Sequence, residues 1–227
     1  MAELRGVETI TFDCYGTLID WESGLRDVLR RLAGDGVADD PELFDAYLAT
    51  EAEIEAGPYM SYRSVLAETV SRLGRRFGFD VPDRELPARA MPGWRPFPDT
   101  NEALRRLKGR CRLGILSNVD RDLLAGTARH LDVDFDFVIT AEDVKSYKPS
   151  RAHFQAAMDR PDVSRDSWVH AAQSLYHDCE PAGRLRVRSV WINRRNETNR
   201  TSARPEAMFP TLTALADAVC GAVTHAD

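Results

Sequence analysis

The chain is poor in cysteine and histidine and has no long apolar run. Its 227 residues hold four cysteines and five histidines. Cys14, Cys111, Cys179 and Cys220 are scattered, with no C-x-x-C pair and no metal-ligand spacing. That pattern excludes a disulfide framework and a cysteine-based zinc site, and it reads as a cytoplasmic protein with reduced thiols. No stretch is apolar for long enough to span a bilayer, and no segment resembles a secretory signal, so no membrane role is expected. Basic charge is not in excess either. Lys and Arg total 30 against 36 Asp and Glu, for a net charge of −6, which excludes a broad nucleic-acid surface. The local basic cluster Arg194-Arg195, with Arg200 and Arg204, reads as a solvated loop.

A hydrophobic content of 43% and a charged content of 29% suit a globular protein with a sizeable core. Strand-like apolar runs recur at residues 7–12, 111–116, 135–139, 168–172 and 189–192. Between most of them lie helical patterns, at 101–108, 120–131, 151–160 and 178–185, with a closing helix at 211–223 and frayed last residues. Strands alternating with helices predict an α/β fold built on a doubly wound parallel sheet. The alternation breaks after the first strand. Residues 21–33, 41–55 and 62–77 carry helical periodicity, and 87–98 contains four prolines that suit a stiff return linker. The expected division is therefore a core of residues 1–19 and 96–227, with a helical cap of residues 20–95 covering the strand ends.

Four segments at successive strand ends carry polar chemistry. The run Thr9-Ile10-Thr11-Phe12 ends in Asp13-Cys14-Tyr15-Gly16-Thr17, a carboxylate followed by a glycine turn and a hydroxyl. Carboxyl ends of strands are where open α/β sheets bind ligands, so Asp13 is a candidate nucleophile, although aspartate also caps turns. Cys14 beside it reads as a small buried hydrophobe. Ser117-Asn118 closes the second strand, with Asp120 placed to cap the next helix. Lys148-Pro149 follows the third, and Gln173-Ser174-Leu175-Tyr176-His177-Asp178 follows the fourth. Taken singly these are turn residues, a solvated cation and a helix cap. Their recurrence at four strand ends in order points to one crevice.

Phe12-Asp13-Cys14-Tyr15-Gly16-Thr17-Leu18, Leu116-Ser117-Asn118, Lys148-Pro149 and the Ser174…Asp178 segment resemble, in order, the four motifs of the haloacid dehalogenase-like hydrolases. The resemblance covers nearly the whole chain and implies a Rossmann-like core with a helical cap. It also implies catalysis through an aspartyl ester. Asp13 would attack, Thr17, Ser117 and Asn118 would position or stabilise the oxyanion, Lys148 would hold the carboxylates, and Asp178 would orient Lys148 or activate water.

The departures from the motifs select a branch. Phosphatases of this family carry an aspartate two residues after the nucleophile, where this chain has Tyr15, a poor acid. They also carry an acidic pair for Mg²⁺ in the fourth motif, where this chain has Ser174 before Asp178. Asp-x-Tyr-Gly-Thr instead resembles the 2-haloacid dehalogenases, which use no metal or other cofactor. The resemblance thus implies a small carboxylate substrate, no nucleic acid, no membrane and a homodimer as the candidate assembly. The halide arginine of those enzymes has no counterpart in residues 41–57, and Arg63 is the nearest candidate. Residues 11–22, 174–178 and 191–195 are also similar to a ring-opening member of this branch that hydrolyses azetidine-2-carboxylate. The expected leaving group is therefore a halide or a strained-ring amine. Tyr15, Gln173, Ser174 and His177 from the core, and Trp21 and Tyr62 from the cap, together with Trp94, would line the pocket. The cap aromatics also fit a plain hydrophobic core, and His177 is either the proton donor to a departing amine or a structural residue. The alternatives are a binding or scaffold protein with little turnover, and a Mg²⁺-dependent phosphatase.

Overall fold

The computed structural model describes residue 4 and residues 6–221. The chain opens with β1 (Thr9–Phe12), continues through α1 (Trp21–Ala33), α2 (Asp35–Ala38), α3 (Pro41–Glu55), α4 (Tyr62–Phe77) and α5 (Leu86–Ala90), and only then returns to the sheet. The sequence then alternates: α6 (Thr100–Lys108), β2 (Arg112–Ser117), α7 (Arg121–Ala128), β3 (Phe137–Thr140), α8 (Ala141–Val144), α9 (Ala152–Met158) and β4 (Trp168–Ala172). It ends with α10 (Glu180–Arg184), β5 (Arg188–Ile192), β6 (Ala207–Phe209) and α11 (Leu212–Cys220). The six strands form one parallel sheet in the order β3-β2-β1-β4-β5-β6. This is the expected doubly wound α/β fold. β1 lies between β2 and β4, so the connections leave it in opposite directions and a crevice opens at its carboxyl end.

Side-chain alternation divides the core. Ile10, Phe12, Leu113, Ile115 and Val169 join a large cluster on one face that also takes in Leu25, Leu43, Leu66 and Leu73 from the inserted helices. Leu116, Phe137, Phe154 and Trp168 form a smaller cluster on the other face. Gly114 is required there, because a Cβ would stand 2.5 Å from the Phe137 ring.

Three helices of the insertion have the boundaries read from periodicity: 21–33, 41–55 and 62–77. Their caps explain why. Asp20 accepts from Ser23 N, Asp40 from Glu42 N with Pro41 at the first turn, and Ser61 from Ser64 N, while Gly78 ends α4 in the left-handed conformation.

The proline-rich stretch expected as a stiff return linker includes part of α5 and a 3₁₀ turn. Pro87 sits in the first turn of α5 and Pro92 in the 3₁₀ turn Met91–Gly93, positions where the missing N–H costs nothing. The helix expected at 178–185 is instead a π-helical turn over Leu175–Cys179 followed by the short α10. β6, three residues long, carried too little pattern to be read from sequence. The frayed end expected beyond residue 221 lies outside the described residues.

Asp120 is also a correction. It stands at the start of α7 but makes no side-chain hydrogen bond to that helix. Its carboxylate accepts from Tyr62 N at 2.8 Å and Arg63 N at 2.9 Å, so it caps α4 across the chain and ties the insertion to the loop after β2. Exposed amides at a helix start attract a carboxylate wherever it comes from. Replacing Asp120 by alanine is expected to destabilise the protein by about 1–2 kcal/mol. Urea unfolding of the purified variant checks this; an unchanged midpoint would mean that water replaces the cap.

Candidate active site

Parallel register brings the four polar segments to one end of the sheet. Phe12 pairs with Ile115 and with Ala171, so Asp13 leaves β1 level with the last residues of its two neighbours. The turn that follows is closed by Gly16 N to Ile19 O at 2.8 Å and Leu18 N to Cys14 O at 2.8 Å. Gly16 has φ of +97°, open to glycine and strained for other residues. The turn aims Thr17 back at Asp13: its hydroxyl donates to Asp13 Oδ2 at 3.1 Å and accepts Gln173 N at 2.9 Å.

Lys148 lies at the centre and is 2% exposed. Its ammonium donates to Asp13 Oδ1 at 2.9 Å, Asp178 Oδ1 at 2.6 Å and Leu116 O at 2.8 Å, which uses all three protons. Burial alone would lower the lysine pKa, but the two carboxylates overcome it and hold the ammonium charged far above neutrality. Asp178 also accepts from His170 Nε2 at 3.0 Å. Thr11 Oγ1 receives the Trp168 indole N–H at 2.8 Å and lies 2.8 Å from His170 Nδ1. His170 thus links Thr11 to Asp178 within the core of the sheet.

This leaves the two carboxylates unequal. Burial would raise Asp178, but Lys148 and His170 outweigh it and hold the carboxyl well below the usual range. Asp13 goes the other way. Burial, reinforced by the charge of Asp178, raises it although Lys148 pulls it down. Asp13 is the more basic of the pair and hence the better nucleophile when ionised. His170 was missed from sequence, being one polar residue inside an apolar strand; its pairing with Thr11 across the sheet identifies it.

A cavity of about 680 Å³ opens above Asp13 and is lined by every catalytic or pocket residue expected from sequence except Thr17 and Arg63. Ser117, fully buried, has its carbonyl bonded to His153 while its hydroxyl has no partner. Asn118 bridges, accepting Lys148 N at 2.7 Å and donating to Lys148 O at 3.1 Å. Tyr15 directs its hydroxyl at Thr127 Oγ1, 2.9 Å away, and burial pushes its pKa well up, so its proton is committed there. Ser174 Oγ accepts His177 N and lies 3.1 Å from His177 Nδ1. Burial lowers the His177 pKa, which leaves the ring neutral and unsuited to donating a proton near neutrality. Trp21 stacks on Phe44, and Tyr62 turns its hydroxyl to Glu51.

Two arginines, Arg63 and Arg194, are not where the sequence suggested. Arg63 does not line the cavity; its guanidinium pairs with Asp122 at 2.6 Å. Arg194 is not part of a solvated loop, although Arg195, Arg200 and Arg204 are exposed as expected. Arg194 pairs with Asp99 at 2.9 Å, lies 4.0 Å over the Phe97 ring and donates to Thr17 O at 3.0 Å, bracing the turn after β1. Arg195 lines the cavity and is paired with Glu22.

The cap side of the cavity is acidic, a feature that periodicity could not reveal. Glu51 accepts from Tyr62 at 2.9 Å and Tyr47 at 3.1 Å; burial raises its pKa to about 7 against those two donors. Glu55, with its Oε2 3.4 Å from Asn118 Nδ2, is raised well above the carboxylate range by burial and by Glu51.

A hard divalent cation needs several oxygen ligands. Among the described residues no group of three or more His, Cys, Asp or Glu side chains is arranged to hold a metal ion. Asp13 and Asp178 each give an oxygen to Lys148, and Ser174 is engaged with His177, so the donor set does not fit magnesium.

Comparison with known proteins agrees with this arrangement. A family model described as haloacid dehalogenase-like hydrolase matches residues 7–170. An (S)-2-haloacid dehalogenase H-109 from Pseudomonas putida is 27% identical over 203 residues, covering 84% of this chain and 88% of that protein. Haloacetate dehalogenase H-2 from a Moraxella species is 25% identical over 199 residues, covering 84% and 88%. The L-2-haloacid dehalogenase from Xanthobacter autotrophicus, solved with chloropropionic acid covalently bound, superposes with a TM-score of 0.80 at 20% identity, covering 92% of this chain and 97% of that one.

Lys148→Met removes the cation from between two buried carboxylates and is expected to cost about 3–5 kcal/mol, read from chemical unfolding. A loss below 1 kcal/mol would mean that the carboxylates are not charged in the folded protein. Glu51 generates a pH effect. Its carboxyl titrates at about 7 folded against 4.5 unfolded, so its contribution to stability is full below pH 4.5 and is lost as pH rises through 7. Glu51→Gln should be near neutral at pH 5 and should raise the melting temperature relative to wild type at pH 8; a difference independent of pH would contradict that assignment.

Proposed function

The chain belongs to the haloacid dehalogenase-like hydrolase family, and from this we propose that it hydrolyses a bond at a carbon near a carboxylate through an ester on Asp13, with no metal. The observation that carries this reading is the buried Lys148 ammonium held by both Asp13 and Asp178. It fixes one oxygen of Asp13 and supplies charge stabilisation from a side chain. The dehalogenase relatives at 27% and 25% identity support a small carboxylate as substrate. We read residues 20–95 as the cap that selects it, over a core of 1–19 and 96–227.

In the first step an Asp13 carboxylate oxygen attacks the carbon, and the leaving group departs with its bonding electrons. Thr17 orients Asp13 through the 3.1 Å hydrogen bond, and the unpartnered Ser117 hydroxyl, with Asn118, takes the substrate's carboxylate or the developing oxyanion. In the second step water attacks the Asp13 carbonyl carbon. Asp178 Oδ2, buried and without a hydrogen-bond partner, is the oxygen free to draw the water proton. Tyr15, Gln173, Ser174 and His177, with Trp21 and Tyr62, shape the pocket around the carbon.

A single turnover in ¹⁸O-water, with L-2-chloropropionate and azetidine-2-carboxylate offered in EDTA, tests the reading. The label is expected in the Asp13 peptide by mass spectrometry, and Asp13→Asn should lose on the order of 10⁴-fold in turnover. Label entering the product directly, with Asp13 unlabelled, would replace the ester by direct attack of water.

A further inference from the structure

A second chamber of about 360 Å³ adjoins the cavity above Asp13. Ala52, Glu55, Lys148 and His177 line both, so the two meet where the end of α3 faces the Lys148 loop. The displacement at Asp13 gives the second chamber no part. The first, at about 680 Å³, already has the size of pockets that hold drug-sized ligands. An acid as small as chloropropionate fills little of either.

The lining of the second chamber is aromatic and cationic. Tyr59 and Tyr147 stand with ring centroids 5.6 Å apart, and the Tyr147 hydroxyl donates to Met60 O at 2.8 Å, which fixes that wall. Tyr176 lies edge-on to His177, with centroids 4.9 Å apart, and is 53% exposed, a large ring left open on the chamber. Lys145 closes α8 at a φ of +50°, a conformation that lysine rarely adopts, and its ammonium lies 5.3 Å from the Tyr59 ring centroid. Lys148 and Arg195, the other Lys and Arg side chains lining the two chambers, are paired with carboxylates, whereas Lys145 pairs with none among the described residues. Glu55 is the only acid in the lining of the second chamber. Burial and the nearby Glu51 hold its carboxyl well above the usual range, which weakens its repulsion of an anion. Open aromatic rings attract a further ring, and an unpaired ammonium attracts an anion.

We propose that the second chamber is a substrate subsite, and that the substrate is a carboxylic acid whose chain carries an aromatic ring ending in a second anionic group. The ring lies among Tyr59, Tyr147 and Tyr176, and the anion at Lys145. This rests on the Asp13 displacement reading for its chemistry. The reacting carbon stays over Asp13, and the tail passes Ala52 and Glu55 into the second chamber. Binding energy from the tail, remote from the bond that breaks, holds the carbon in place for attack. Lys145 and the three tyrosines thus determine specificity and take no part in bond making.

Ligand-observed NMR titrations measure binding of 3-(4-carboxyphenyl)propionate, 3-phenylpropionate and propionate, acids with no leaving group, to wild type, Lys145→Gln and Ala56→Trp. The carboxyphenyl acid should bind on the order of 10²-fold more tightly than propionate, as burial of a ring implies. Lys145→Gln should weaken it about fivefold relative to 3-phenylpropionate. Ala56→Trp, which fills the chamber from the exposed end of α3, should weaken both aromatic acids relative to propionate. Chloride release from the 2-chloro derivatives of the three acids should follow the same order in kcat/KM. Equal affinity for the three acids, or tight binding of the carboxyphenyl acid that neither variant alters, would overturn the subsite. Chloride release that depends on Asp13 but shows no preference for the tail would also overturn it, and would leave the displacement reading standing. Tail-dependent binding with no chloride released from any of the three would keep the subsite and overturn the displacement reading.

Discussion

One ammonium group organises this molecule. Lys148 is buried between Asp13 and Asp178 and donates its third proton to a strand-end carbonyl. A lone buried charge is very costly, so each of the three side chains is tolerable only while the others are in place. The requirement reaches far along the chain. β1 must lie beside β2 for the Leu116 carbonyl to be present, and beside β4 for Asp178 to follow it. The loop carrying Lys148 must be drawn in, which Asn118 does through two hydrogen bonds. The parallel sheet and the site are thus one construction, with the switch point at β1 as their common element.

Within that group, two identical side chains acquire different characters. The Trp168–Thr11–His170 chain ends on Asp178 and, with Lys148, keeps it ionised. Asp13 has Lys148 and a threonine hydroxyl but no histidine, and faces the cavity. The same environment therefore yields a more basic carboxylate beside a firmly charged partner. Environment, and not residue type, assigns the roles.

The inserted helices meet the core through polar contacts as well as apolar ones. Asp120 holds the start of α4, and the cavity lies between that anchored helix pair and the strand ends. The α3 face of the cavity is acidic, with Glu51 and Glu55 lining it, while Arg63 is turned away to Asp122.

Much of this was legible in the residues. Apolar runs and caps located five strands and three long insertion helices, because buried strands and amphipathic helices carry their period locally. Asp13, Thr17, Ser117, Asn118, Lys148 and Asp178 could be named because each lies in a polar segment at or after the end of a strand, in order along the chain. Other features lay outside any local pattern. Asp120 capping a helix 58 residues away, Arg194 bracing Thr17, and His170 backing Asp178 all depend on which segments the sheet register and the packed insertion bring into contact. The sequence by itself determined the fold class and the polar machinery gathered at the strand ends, since both follow from short-range pattern and order along the chain. Only the tertiary structure decided what faces that machinery, because the direction of Glu51 and Glu55, and the pairing that removes Arg63 and Arg195 from service, are set by long-range contacts that no local period encodes.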